Sequence, residues 1–152
     1  MTPEIEASIL KYCLGLRDSY IGSPMLSSLY SVWAAYTGDS GLSMALMEEG
    51  YGRFCVGRFE QTLEYRSDVF PEQPQAGPFF ANLGGLLLGL LFGLPGLFPD
   101  AGDPEHWARR EIVLPVGWTA IEVERLWIRG REYRLYAKHG AERAVLTDLR
   151  TM

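Results

Sequence analysis

Few side chains in this sequence could do chemistry, and several familiar constellations have no footing in it. The only histidines are His106 and His139, one in a linker-like segment and one in an expected turn, so neither a metal site nor a Ser/His/Asp triad has support. Cys13 and Cys55 have neither metal-ligand spacing nor the density of a secreted disulfide scaffold, and read as mostly buried thiols. Carboxylates and hydroxyls remain. Glu60 and Glu64 lie in the polar stretch RFEQTLEYRSD, just ahead of an apolar run, and taken alone read as surface acids. Ser23, Ser27 and Ser28 lie near an expected helix N-terminus, where backbone N–H groups could hold an anion, although serines there more often serve as caps. Trp33, Trp107, Trp118 and Trp127 could stack on sugar rings, but those in helix or strand patterns are expected in the core.

The apolar run, AGPFFANLGGLLLGLLFGLPGLF, is the feature that hydropathy alone would misread. No charge falls between Glu72 and Asp100, so it resembles a membrane span or a helix buried on all sides. Pro78 and Pro95 confine uninterrupted helix to 79–92, a length that suits a core helix better than a bilayer crossing, and positive flanking charge is missing. The expectation is a buried helix and no membrane contact. Gly85, Gly89 and Gly93 recur every fourth residue and form a smooth stripe that lets a neighbouring backbone approach.

Composition sets wider bounds. At 152 residues, 47% hydrophobic and 22% charged, the chain has a globular balance and room for one ordinary domain or two small ones. A net charge of -5 without a cluster of Lys and Arg argues against nucleic acid. The start, MTPEIEAS, carries acids where a signal peptide would carry basic residues and an apolar core, so a cytoplasmic setting is the default.

Start and stop signals organise the rest. Thr2-Pro3 opens a first helix that ends near Gly15, with Ile5, Ile9, Tyr12, Cys13 and Leu16 on a helical period. Ser23-Pro24 opens a second, marked by Met25, Leu29, Val32, Trp33 and Tyr36 and stopped at Gly38. Ser40 is expected to cap a third, closed by Gly50, and 54–65 reads as a short strand or helix. Beyond Pro99, AGDPEHWARRE reads as a linker. After it come TAIEVERLWI, REYRLYAK and ERAVLTD, separated by turns at Arg129-Gly130 and His139-Gly140, a three-stranded antiparallel meander with 112–114 as a possible fourth strand. Ile121, Val123 and Trp127 should face the helices. Four helices cannot cover one that is apolar on every side, so the sequence reads as the end of something larger.

The stretches GSPMLSSLYSVWAAYTGD, LEYRSDVFPEQPQAGPFFANLGGLLLGLLFGLPGL and LPVGWTAIEVERLWIRGREYRLYAKHG, in that order, resemble the C-terminal part of glycoside hydrolase family 65. The resemblance implies an α+β chain: the last helices of an incomplete (α/α)6 barrel over 1–99, a linker over 100–111 and an antiparallel β-domain over 112–152. It implies inverting cleavage of an α-glucoside, trehalose-like or a glucosyl disaccharide, without a cofactor. Such chemistry needs a general acid and a general base about 6.5–9.5 Å apart. The family's acid lies upstream in the barrel. Its base follows an aromatic residue by five positions, a spacing that Phe59 and Glu64 reproduce, with Glu60 in RFEQ as the alternative. Ser23, Phe79 and Asn82 are the expected substrate-binding residues. The chain alone would be inactive, its partners being the glucoside and either the missing barrel polypeptide or a second copy. A disaccharide phosphorylase would instead hold phosphate with neutral or cationic donors, which a carboxylate at Glu64 opposes. A non-catalytic sugar-binding or assembly module is the reading from a different class.

Overall fold

The computed structural model describes residues 2–20, 25–56, 61–74 and 77–150, and over these the chain is α+β, four helices followed by a small antiparallel sheet. Helix α1 (Pro3–Leu14) begins with proline in its first turn, where the missing N–H costs nothing. Helix α2 (Met25–Tyr36) and α3 (Ser40–Gly50) follow. The cap of α3 is Asp39 rather than Ser40: its carboxylate accepts from the Leu42 N–H at 2.8 Å, and Ser40 is already the first helical residue. Two strands of two residues each, β1 (Cys55–Val56) and β2 (Gln61–Thr62), pair antiparallel within the region whose type the sequence leaves open.

Helix α4 (Phe80–Leu88) is shorter than 79–92 and runs on into a π-helical turn, Gly89–Gly93, in which the Leu94 N–H reaches back five residues to the Gly89 carbonyl. Pro95 cannot continue the helix, and Gly96 turns the chain at φ +74, where a Cβ would lie 2.4 Å from the Arg110 carbonyl oxygen. The glycine stripe does what its spacing suggests. A Cβ on Gly85 would meet Ser28 Cβ at 2.5 Å, and one on Gly93 would meet Val32 Cα at 3.1 Å, so α2 and α4 are in backbone-level contact.

Two expectations about faces are corrected. Helix α4 is not buried on all sides: Phe80 is 72% exposed, and Leu87 and Leu88 also face outward. The apolar period of α1 likewise points outward, with Ile5, Ile9, Tyr12 and Leu16 all exposed. Helix α2 buries Ser27, Ser28, Ser31, Ala34 and Ala35, while Met25 and Trp33 are exposed. Of these, Ser28, Ser31 and Ala35 lie against the Gly85–Gly93 stripe, where the close approach of the two segments leaves no room for large side chains. Cys13 and Cys55 are half-buried rather than deeply so. No helix of the described residues is long and apolar enough to cross a membrane.

The sheet has the order β3 (Ala120–Ile128), β4 (Arg131–Lys138), β5 (Val145–Asp148), antiparallel throughout. Arg129 and Gly130, both at positive φ, form the two-residue turn between β3 and β4. Residues 112–114 form no strand; the Val113 N–H bonds instead to the Leu94 carbonyl at 2.9 Å and ties the segment leading into the sheet to the residue after the π-helical turn. Trp127 does not face the helices. Val123 pairs with Leu135 but Leu126 pairs with Tyr133, so one extra residue bulges from β3, the alternation inverts, and Trp127 turns outward at 64% exposure while Ile128 turns in. The sheet core, Tyr133, Leu135, Ala137 and Leu146, closes on Trp107 and Leu97. Leu114 joins Ala35, Met47 and Leu94 in a second cluster that links sheet and helices.

Candidate active site

The serines at the start of α2 organise a buried polar seam. Ser27 and Ser28 are adjacent on α2, so their side chains diverge by about 100° around the helix and reach different neighbours. Ser27 Oγ donates to Glu49 Oε1 on α3 at 2.6 Å, and Ser28 Oγ donates to Asn82 Oδ1 on α4 at 2.8 Å. Ser31, one turn on, donates to the Ser28 carbonyl at 2.6 Å. Neither Ser27 nor Ser28 is thus a cap: their hydroxyls cross-link helices, which satisfies buried groups that would otherwise be costly.

Asn82 sits in the first turn of α4 and is fully buried. Its oxygen is taken by Ser28, which sets the orientation of the amide, and its Nδ2 has no partner among the described residues. Phe79 precedes the helix as its N-cap residue, half-buried, with its carbonyl accepting from the Asn82 N–H at 3.2 Å. A primary amide held this way keeps two N–H donors free to meet an acceptor.

Glu64 lies in the bend just after β2. Leu63 anchors that bend by burial and through its N–H, which donates to the Phe54 carbonyl at 3.0 Å, while Glu64 stays half-buried. Strand β2 rests on α4, which brings the segment carrying Glu64 to the helix carrying Asn82. Ser23 and Glu60 lie outside the described residues.

Glu49 and Arg17 belong to this region and carry no signal in the sequence beyond an acid near a helix end. Glu49 is buried; one oxygen accepts from Ser27 and the other forms an ion pair with Arg17, from the short 3-10 turn Arg17–Ser19. With both oxygens engaged it acts as a brace between α1's exit, α2 and α3. Among the described residues no group of three His, Cys, Asp or Glu side chains is placed to hold a metal ion.

Comparison with protein families, with curated proteins and with solved structures finds no match to this chain.

Proposed function

We propose that this chain is the closing part of an inverting α-glucoside hydrolase of the family 65 type, acting on a trehalose-like or glucosyl-disaccharide substrate. In this reading α1–α4 are the last helices of an (α/α)6 barrel and the three-stranded sheet is its C-terminal β-domain. Glu64 is the general base that activates water, and Ser23, Phe79 and Asn82 form part of the substrate wall. The general acid comes from the upstream barrel, so the chain is inactive by itself.

The observation that carries the reading is the two-sided character of α4. Its glycine face is filled by α2, while its other face leaves Phe80, Leu87 and Leu88 open. Covering a large apolar side chain is worth about 1.5–3 kcal/mol, and an inner barrel helix would gain that from helices on its far side. The exposed face of α1 asks for the same cover. Hydrolysis is favoured over phosphorolysis because a carboxylate at Glu64 repels the phosphate that would have to replace water.

The test is glucose release from trehalose and from a glucosyl-galactose, by this chain alone and by this chain joined to upstream barrel sequence. The expected result is none from the chain alone, and β-glucose as first product from the joined protein, with Glu64→Gln lowering kcat by about 10²–10⁴-fold. Turnover by the chain alone would overturn the fragment reading. Full activity in Glu64→Gln would move the base to Glu60.

A further inference from the structure

A pocket of about 300 Å³ opens between the segment 101–104 and the start of β4, lined by Asp103, Arg129, Arg131 and Tyr133 among others, at the lower end of the about 300–1,000 Å³ typical of ligand sites. Its rim is firmly built. The Arg129 guanidinium donates to the carbonyls of Ala101 at 3.0 Å and Gly102 at 2.9 Å and to that of Asp100, and lies 5.3 Å from the Trp107 ring centre. Asp100 Oδ1 accepts from the Gly102 N–H at 2.8 Å, and Asp103 Oδ1 from the Glu105 N–H at 3.2 Å.

Two polar atoms of the same pocket wall are left over. Tyr133 is fully buried and its hydroxyl has no partner among the described residues; the same holds for Arg131 Nε. Buried polar groups are nearly always paired, so two orphans in one wall call for a common explanation. Charge narrows the answer. Arg131 is spent on an ion pair with Asp148 and Arg129 on three carbonyls, while Asp103 and Glu105 add negative charge. An anion here finds Arg129 N–H donors already taken by carbonyls, Arg131 already paired with Asp148, and the Asp103 carboxylate lining the same pocket. A hydroxyl group can accept from Arg131 Nε and donate to Asp103. Burial pushes the Tyr133 phenol above the ordinary tyrosine value, so it stays protonated and able to donate.

We propose that this pocket is a binding site for a neutral polyhydroxylated ligand, a sugar ring or polyol, held by the Tyr133 hydroxyl, Arg131 Nε and the Asp103 carboxylate. The ligand reaches the two shielded atoms by a shift of the Arg131 side chain, which is about one-third exposed and lies 5.4 Å over the Tyr133 ring. The site belongs to the sheet and stands apart from the assignment of Glu64 and the α-glucoside reaction.

The experiment is an NMR titration of the whole chain with glucose and with myo-inositol, and with inorganic phosphate as the anionic comparator, following Arg131 Nε–H and the amides of Gly102 and Asp103. Saturable shifts with glucose or myo-inositol are expected, weakened about 5-fold in Tyr133→Phe, the worth of one hydrogen bond. If Tyr133→Phe fails to fold, the exposed Asp103→Asn carries the test with the same expected weakening. The proposal is overturned if neither polyol gives a saturable shift, if phosphate alone does, or if the variant that folds binds as tightly as the native chain.

Discussion

Arg110 holds Glu6 with both terminal guanidinium nitrogens, at 2.7 and 2.8 Å, joining α1 to the segment that leads into the sheet. The same guanidinium lies 4.4 Å from the Tyr36 ring centre, and the Tyr36 hydroxyl donates to the Leu97 carbonyl at 2.5 Å. Hydrogen bonding to Arg110 keeps the Glu6 carboxyl below its ordinary value of 4.5. Asp148 is held at about 2 by the Arg150 N–H and by Arg131. Both pKa values are lower folded than unfolded, so the stability they contribute is present above the ordinary carboxylate range and is lost as pH falls through the folded values. The chain should melt at a lower temperature at pH 3 than at pH 6, and Glu6→Gln should cost about 1.5–3 kcal/mol at neutral pH while flattening part of the acid dependence. Denaturant melts across pH check this; a pH-independent midpoint would exclude it.

Gly84 and Gly85 are neighbours with opposite tolerance. A Cβ on Gly85 would strike Ser28 Cβ at 2.5 Å, whereas one on Gly84 meets nothing within 4 Å. Gly85→Ala should destabilise by about 1–3 kcal/mol through forced separation of α2 and α4. Gly84→Ala should stabilise by about 0.5–1 kcal/mol from helix propensity alone. Calorimetry on the two single variants decides, and equal effects would mean that the close helix approach is wrong.

The hydrogen bond from Ser28 to Asn82 should be visible as coupling. Ser28→Ala leaves a buried amide oxygen unpaired, at a cost of about 1–3 kcal/mol. In the Asn82→Ala background the same change should cost clearly less, with a coupling of about 0.5–3 kcal/mol for residues in direct contact. Strict additivity in the double-mutant cycle would show that the bond carries no energy.

The outward apolar faces of α1 and α4 predict self-association of the isolated chain. Light scattering should report an apparent mass that rises with concentration, and replacing Ile9 and Tyr12 together by Glu should lower it. A chain that stays monomeric at every concentration would count against an uncovered interface.

The element boundaries were legible where local chemistry decides them. Thr2-Pro3 opens α1 where expected, and Arg129-Gly130 makes the turn its residue types suggest. Orientation was less legible. The apolar period of α1 locates a face but not what covers it, and the buried side of α2 is written in Ser and Ala, to which an apolar count is blind. The bulge in β3 after Val123 cannot be read from alternation, because one extra residue inverts every later side chain. At the candidate site, Asn82 and Glu64 could be singled out through a resemblance, but Ser28 as the partner of Asn82 and Glu49 as the partner of Ser27 arise only when helices far apart in sequence meet.

The bond between Ser28 and Asn82 spans 54 residues, and that separation bears on how the chain is made. Helices α2 and α3 are joined by a short turn and can pair as soon as both have left the ribosome, whereas α4 must wait for the intervening loop to be synthesised and then closed against chain entropy. Until then the serine-lined groove of α2 stands open, wet and without its filler. During synthesis α4 is the last helix to find its place, and its apolar side chains stay in water until it docks on α2.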